Sequence, residues 1–248
     1  MLRDLRRESD VIKLVGIVIG IAAAAVMAVP AAEAQPEQET YVVQAGTYDY
    51  LAAPDYSGLM PARKVVAGQT LGLGTFDGLT GEFVMVGGNA YLVGIDGTPK
   101  KADLGVTTPF LQAVSFVPEK SVPVAPGTTC AQMLDAVNAA VGSNGGLVAV
   151  RVRGTFPTLT TRSVPGFTAP YPTLSQAVAQ QTTFDLNGRR AVLVGFRTGP
   201  DFAGTGAPGL HLHGVTADRT GGGHVLACVA GNDVQLSIQA ADGVTILD

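Results

Sequence analysis

Glycine cuts this chain into short apolar runs, and that punctuation constrains its fold more than any other feature. There are 32 Gly and 15 Pro among 248 residues, with no collagen-like period. Frequent turn residues between short apolar stretches suit many strands joined by turns better than a bundle of long helices. Residues 40–44 alternate like a strand and residues 70–76 read as another. Residues 82–86 and 90–95 form a predicted hairpin around Gly87-Gly88-Asn89. Further strands are expected at 147–156, with Arg151 and Arg153 on one face, and at 191–196. A hairpin is expected from Leu210 onward, with a last strand at 234–238. Only one stretch has clear helical spacing: Met133, Leu134, Val137 and Val141 follow a Thr128 or Thr129 N-cap and stop at Gly142. A second, weaker helix is expected at 173–181. Gly72-Leu73-Gly74 lacks the Gly-Lys-Ser/Thr ending and the following helix of a nucleotide loop, so it is read as tight-turn packing. The expected class is α+β and β-rich, with mixed or antiparallel sheets, a few helices and two β-rich halves meeting near residue 125.

The N-terminus carries Arg3, Arg6, Arg7 and Lys13, then an apolar stretch, then Ala32-Glu33-Ala34. That order is the layout of a secretory signal over residues 1–34, leaving residues 35–248 as a mature periplasmic or secreted domain. The alternative is an uncleaved anchor, since the apolar stretch approaches the roughly 20 residues that span a bilayer; any membrane contact would be through that segment alone. Net charge is −4, and no basic cluster follows the first residues, so the phosphate-neutralising surface required for nucleic-acid binding is missing. Cys130 and Cys228 either bridge in an oxidising compartment or are two small buried residues.

All three histidines, His211, His213 and His224, fall in one short segment. On a strand, residues two apart share a face, so His211 and His213 act together. Asp218-Arg219 lies midway to His224, and Gly221-Gly222-Gly223 follows, as a hairpin turn requires. With the turn centred there, His213 faces His224. Opposed Cβ atoms about 4.5–5.5 Å apart let two imidazoles close on one ion with bonds of about 2.0–2.1 Å. Three neutral imidazoles with an open position form a recurring catalytic zinc arrangement. Cys228, four residues beyond His224, would sit about 13 Å away at ~3.3 Å per residue and is a poor fourth ligand.

At this point the sequence resembles the α-acetolactate decarboxylases. The resemblance runs in order through Gly72-Leu-Gly-Thr-Phe-Asp-Gly-Leu-Thr-Gly-Glu82, Thr108-Pro109-Phe110, Arg153-Gly154-Thr155-Phe156 and Thr161-Arg162-Ser163-Val164-Pro165. It continues with Tyr171-Pro172, Val194-Gly195-Phe196 and the histidine hairpin, covering roughly residues 41–236. The resemblance implies a Zn²⁺ site at His211, His213 and His224, with Glu82 and Arg162 lining the pocket and Thr75 nearby. It implies a small β-keto acid substrate, 2-acetolactate, converted to acetoin and carbon dioxide, and a fold of two β-rich portions usually paired as a homodimer. The chemistry is consistent with those residue types. Loss of carbon dioxide leaves an electron pair that needs a positively polarised oxygen to receive it, which a metal provides. Arg162 suits the carboxylate or the enediolate, and Glu82 a proton shuttle or metal neighbour.

Members of that family usually continue into a C-terminal segment that returns a second glutamate to the metal. Here no Glu follows Glu119, so Asp242, Asp248 or the terminal carboxylate is expected to substitute, or the site to work without that acid. Two other classes fit the same histidines: an exported metal- or ligand-binding protein that has lost catalysis, and a zinc hydrolase. Against the hydrolase stands the absence of a His-Glu-x-x-His motif.

Overall fold

The computed structural model describes residues 39–247, and the expected signal segment, residues 1–34, lies outside the described residues. A seven-stranded sheet has the order Gly243–Leu247, Tyr41–Ala45, Phe110–Val114, Leu71–Phe76, Thr80–Val86, Asn89–Val93, Pro99–Lys101. An eight-stranded sheet has the order Thr182–Asp185, Thr158–Ser163, Gly222–Val229, Gly209–Thr216, Arg189–Thr198, Leu147–Phe156, Gln235–Ala241, Lys120–Val122. Within these two sheets every pairing is antiparallel except Tyr41–Ala45 with Gly243–Leu247. The β-rich α+β expectation holds.

The two sheets pack face to face, and strand alternation decides which side chains meet there. Leu71, Leu73, Val84 and Phe110 from one sheet join Leu147, Ala149, Val194, Phe196 and Val215 from the other in a shared core. Each fully buried Leu, Val or Phe side chain among them stabilises the fold by about 1.5–3 kcal/mol. The opposite face of the larger sheet is covered by the helix Cys130–Val141 through Met133 and Val137, and that of the smaller sheet by the helix Ala62–Val66. The long helix starts at a capping box: Gln132 N donates to Thr129 Oγ1 at 3.3 Å and Thr129 N to Gln132 Oε1 at 2.9 Å. It ends at Gly142, whose φ of 69° suits a residue without Cβ. Among the described residues no helix is long and apolar enough to cross a membrane.

Three expectations change. The tight turn read at Gly72-Leu73-Gly74 is absent, both glycines lying inside the strand expected at 70–76 and found as Leu71–Phe76; a Cβ on Gly74 would come within 2.7 Å of Leu111 Cα, so glycine lets the neighbouring strand approach. The helix near residue 173 is limited to Leu174–Val178, because only Ala177 is buried and nothing anchors a further turn. The chain also does not end its sheets at residue 238: the strand there runs Gln235–Ala241, and Gly243–Leu247 then pairs with Tyr41–Ala45.

Cys130 and Cys228 are bridged, with a Cα–Cα distance of 5.2 Å across 98 residues of sequence. The bridge ties the first residue of the long helix to the strand Gly222–Val229, which carries His224. Closing a loop of that length removes much entropy from the unfolded chain. Replacing both cysteines by Ala is therefore expected to lower unfolding stability by about 2–4 kcal/mol, read from denaturant midpoints under oxidising conditions. An unchanged midpoint would remove the bridge from the account of stability.

Candidate metal centre and its cavity

Alternation carries polar side chains into the space between the sheets as surely as apolar ones. His211 and His213 share the inward face of Gly209–Thr216 with Val215, Thr75 follows Leu71 and Leu73, and Glu82 precedes Val84. The hairpin register places His213 opposite His224, Gly214 opposite Gly223 and Val215 opposite Gly222. Its turn closes through Thr216 N donating to Gly221 O at 2.8 Å, with Arg219 at φ 58°. Arg162 enters because Thr158–Ser163 pairs with the far side of the hairpin, setting Arg162 opposite His224.

That pairing depends on Gly223. Its φ is 128°, and a Cβ there would collide with the backbone carbonyl of Arg162. Gly223→Ala is expected to cost about 1–3 kcal/mol and to lower the metal content of the purified protein. Unfolding midpoints and metal analysis check both, and a neutral variant would show that the register tolerates strain.

The three rings converge. His211 Nε2 lies 3.2 Å from His213 Nε2 and 3.1 Å from His224 Nδ1, and the three candidate ligand atoms all fall within 4.8 Å of one another. His213 Nδ1 is 2.8 Å from Phe83 O. A carbonyl can only accept, so that nitrogen holds the ring proton and Nε2 turns a lone pair inward. The same Nε2 is 3.3 Å from Glu82 Oε2, which brings an acceptor up to a carboxyl oxygen. Burial pushes His211 down to about 3, with the Arg162 charge adding to it. Burial likewise holds His213 and His224 well below the usual imidazole range. Three neutral imidazoles whose nitrogens converge beside a carboxyl oxygen form a donor set that can hold a divalent cation.

Glu82 is bound on its other side by Arg162, whose Nη1 donates to Oε1 at 2.9 Å. Burial pushes the Glu82 carboxyl up to about 7 despite the opposing pull of the Arg162 charge. Thr75 lines the same space, but its hydroxyl is committed to Gly81 O at 2.8 Å, while its own carbonyl accepts from Thr108 Oγ1 at 2.6 Å. It holds the turn ahead of Glu82. All six residues singled out in the sequence thus border one cavity of about 540 Å³.

Sequence reasoning missed the cavity's other wall. Leu51, Leu79, Phe110, Val164, Leu174 and Val178 line it, with Tyr48 and Ser175. The i, i+4 spacing of Leu174 and Val178 signals a helix face, but not what that face meets. Asp242 is not brought to the centre: its carboxylate accepts from Thr40 N at 2.6 Å. Asp248 lies outside the described residues. Cys228 is taken up by its bridge.

Comparison with known proteins adds an independent finding. Residues 42–247 match the family model described as alpha-acetolactate decarboxylase. The alpha-acetolactate decarboxylase of Methanosarcina mazei is 34% identical over 183 residues, covering 74% of this chain and 64% of that protein. The one from Brevibacillus brevis is 31% identical over 199 residues, covering 79% and 69%. The chain thus spans a little under two thirds of the first relative's length. Among solved structures, alpha-acetolactate decarboxylase from Bacillus subtilis strain 168 superposes with a TM-score of 0.79 at 27% identity, covering 84% of this chain and 88% of that one.

Proposed function

The chain belongs to the alpha-acetolactate decarboxylase family, and from that premise we propose that it converts 2-acetolactate to acetoin and carbon dioxide at a zinc centre held by His211, His213 and His224. The observation that carries the reading is the convergence of three ring nitrogens on one point, beside a carboxyl–guanidinium pair, in one cavity. Three nitrogen donors suit zinc, which when bound supplies Lewis acidity toward the oxygen that collects the electron pair.

The remaining work falls to the side chains. Arg162 presents a planar, permanently charged group that binds the substrate carboxylate and orients its bond for cleavage. Glu82 is positioned between that guanidinium and the histidines, and its Oε2 carries the proton delivered to the carbon that loses carbon dioxide. The C–C bond to the carboxylate breaks, carbon dioxide departs, the pair moves to the ketone oxygen, and one proton returns to carbon. Thr75 keeps Glu82 in place through Gly81, and the apolar wall excludes water that would weaken these interactions. Export to an oxidising compartment fits the Cys130–Cys228 bridge, which such surroundings maintain.

The test is acetoin formation from racemic 2-acetolactate by residues 35–248, before and after chelation and zinc return. Metal-dependent acetoin above the spontaneous background is the expected result. Zinc-loaded protein that gives none would replace this reading with that of a metal-binding protein on the same scaffold.

A further inference from the structure

We propose that the site accepts 2-hydroxy-3-oxo acids larger than acetolactate, with one methyl replaced by a branched alkyl or benzyl group, and that Val164, Leu174 and Val178 set the size limit. The proposal rests on the decarboxylase reading and adds the substrate class. Acetolactate has nine non-hydrogen atoms, and even with a whole water's ~30 Å³ allowed for each it fills no more than roughly 270 Å³. The cavity, at about 540 Å³, has twice that room. The surplus is not polar. Beyond the histidines, Glu82, Arg162 and Thr75, the lining is Leu51, Leu79, Phe110, Val164, Leu174 and Val178, broken only by small or single polar residues.

Half of that wall comes from one segment, the strap that leaves the strand Thr158–Ser163 and returns through the helix Leu174–Val178. The strap is fastened at several points. Phe167 N donates to Gly78 O at 2.6 Å, and the fully buried Tyr56 donates its hydroxyl to Pro172 O at 2.9 Å. Tyr56 also packs against Tyr171 with ring centroids 5.0 Å apart and against Phe167 at 6.3 Å. The helix opens on a capping box between Thr173 and Gln176. A wall held this firmly cannot collapse onto a small substrate, so the apolar space stays open for a larger substituent. Each methylene buried there raises affinity roughly fourfold. The bond changes are those of acetolactate itself, since the substituent takes no part in them.

The experiment compares kcat/KM of the zinc-loaded protein for acetolactate with that for homologues carrying isobutyl or benzyl, placed on C2 in one probe set and on the acyl carbon in another. The expected result is that at least one large acid is decarboxylated as efficiently as acetolactate or better. Val178→Phe, and separately Val164→Phe, should lower the large-to-small ratio at least tenfold by filling the space. Acetolactate turnover with every large acid more than 100-fold slower would overturn the proposal, as would a ratio that neither variant moves. Turnover of no acid at all would overturn the decarboxylase reading, and this proposal with it.

Discussion

Arg162→Ala is expected to lower kcat/KM for 2-acetolactate by roughly 10²–10³-fold or more while the protein still holds its metal. Arg162 is not one of the converging ligands; it reaches the centre through Glu82, at 2.9 Å. Removing it takes away the cation that binds the substrate carboxylate. It also removes a charge that pulls the Glu82 carboxyl down against burial, so that proton is held more tightly. Arg162→Lys should recover part of the rate, because a point charge restores attraction without the two-pronged geometry. Metal analysis separates the possibilities. Full activity in Arg162→Ala would take the residue out of the chemistry, and an inactive, metal-free variant would make it a structural support of the hairpin.

Removing the proposed metal is expected to have the second large effect. At an ion concentration 1,000-fold above its dissociation constant, binding to the folded state alone contributes about 4 kcal/mol. For a chain of this size that corresponds to roughly 8–16 °C in Tm. Chelation should lower Tm by that much, and zinc return should restore it. His213→Ala should mimic the chelated state and make Tm insensitive to chelator. The choice of His213 follows from its surroundings: it is 2% exposed and committed through Nδ1 to Phe83 O. A Tm that ignores both chelator and mutation would mean that the three rings hold no ion.

The histidine hairpin was legible in the sequence because it depends on local rules. Strand period two makes His211 and His213 co-facial, and the glycine run places the turn, so the His213–His224 pairing follows without knowledge of the rest of the chain. The long helix was readable for the same reason: its cap, stripe and stop are all local. What escaped was set by distant partners. Gly243–Leu247 has no fully buried residue and becomes a strand only because Tyr41–Ala45 offers it an edge. Phe110–Val114 is buried at every position, so it has no alternation to read. The Cys130–Cys228 bridge spans 98 residues, and nothing in either neighbourhood announces the other. Glu82 and Arg162 were located by resemblance to a family; their 2.9 Å contact required both sheets to be in place.

The nearness of the histidines along the chain bears on how the molecule assembles. His211 and His224 are 13 residues apart, whereas Arg162 and Glu82 are separated by 80. A hairpin closes in about 1–10 μs, long before sheets of such non-local pairing complete. At the proposed metal site, the hairpin therefore brings the ligands together ahead of Arg162 and Glu82. A slip of one residue in that hairpin would turn His211 and His213 to the wrong face, and only the correct register gathers three nitrogens. Ion capture at the proposed metal site would favour the correct strand pairing at an early stage of folding.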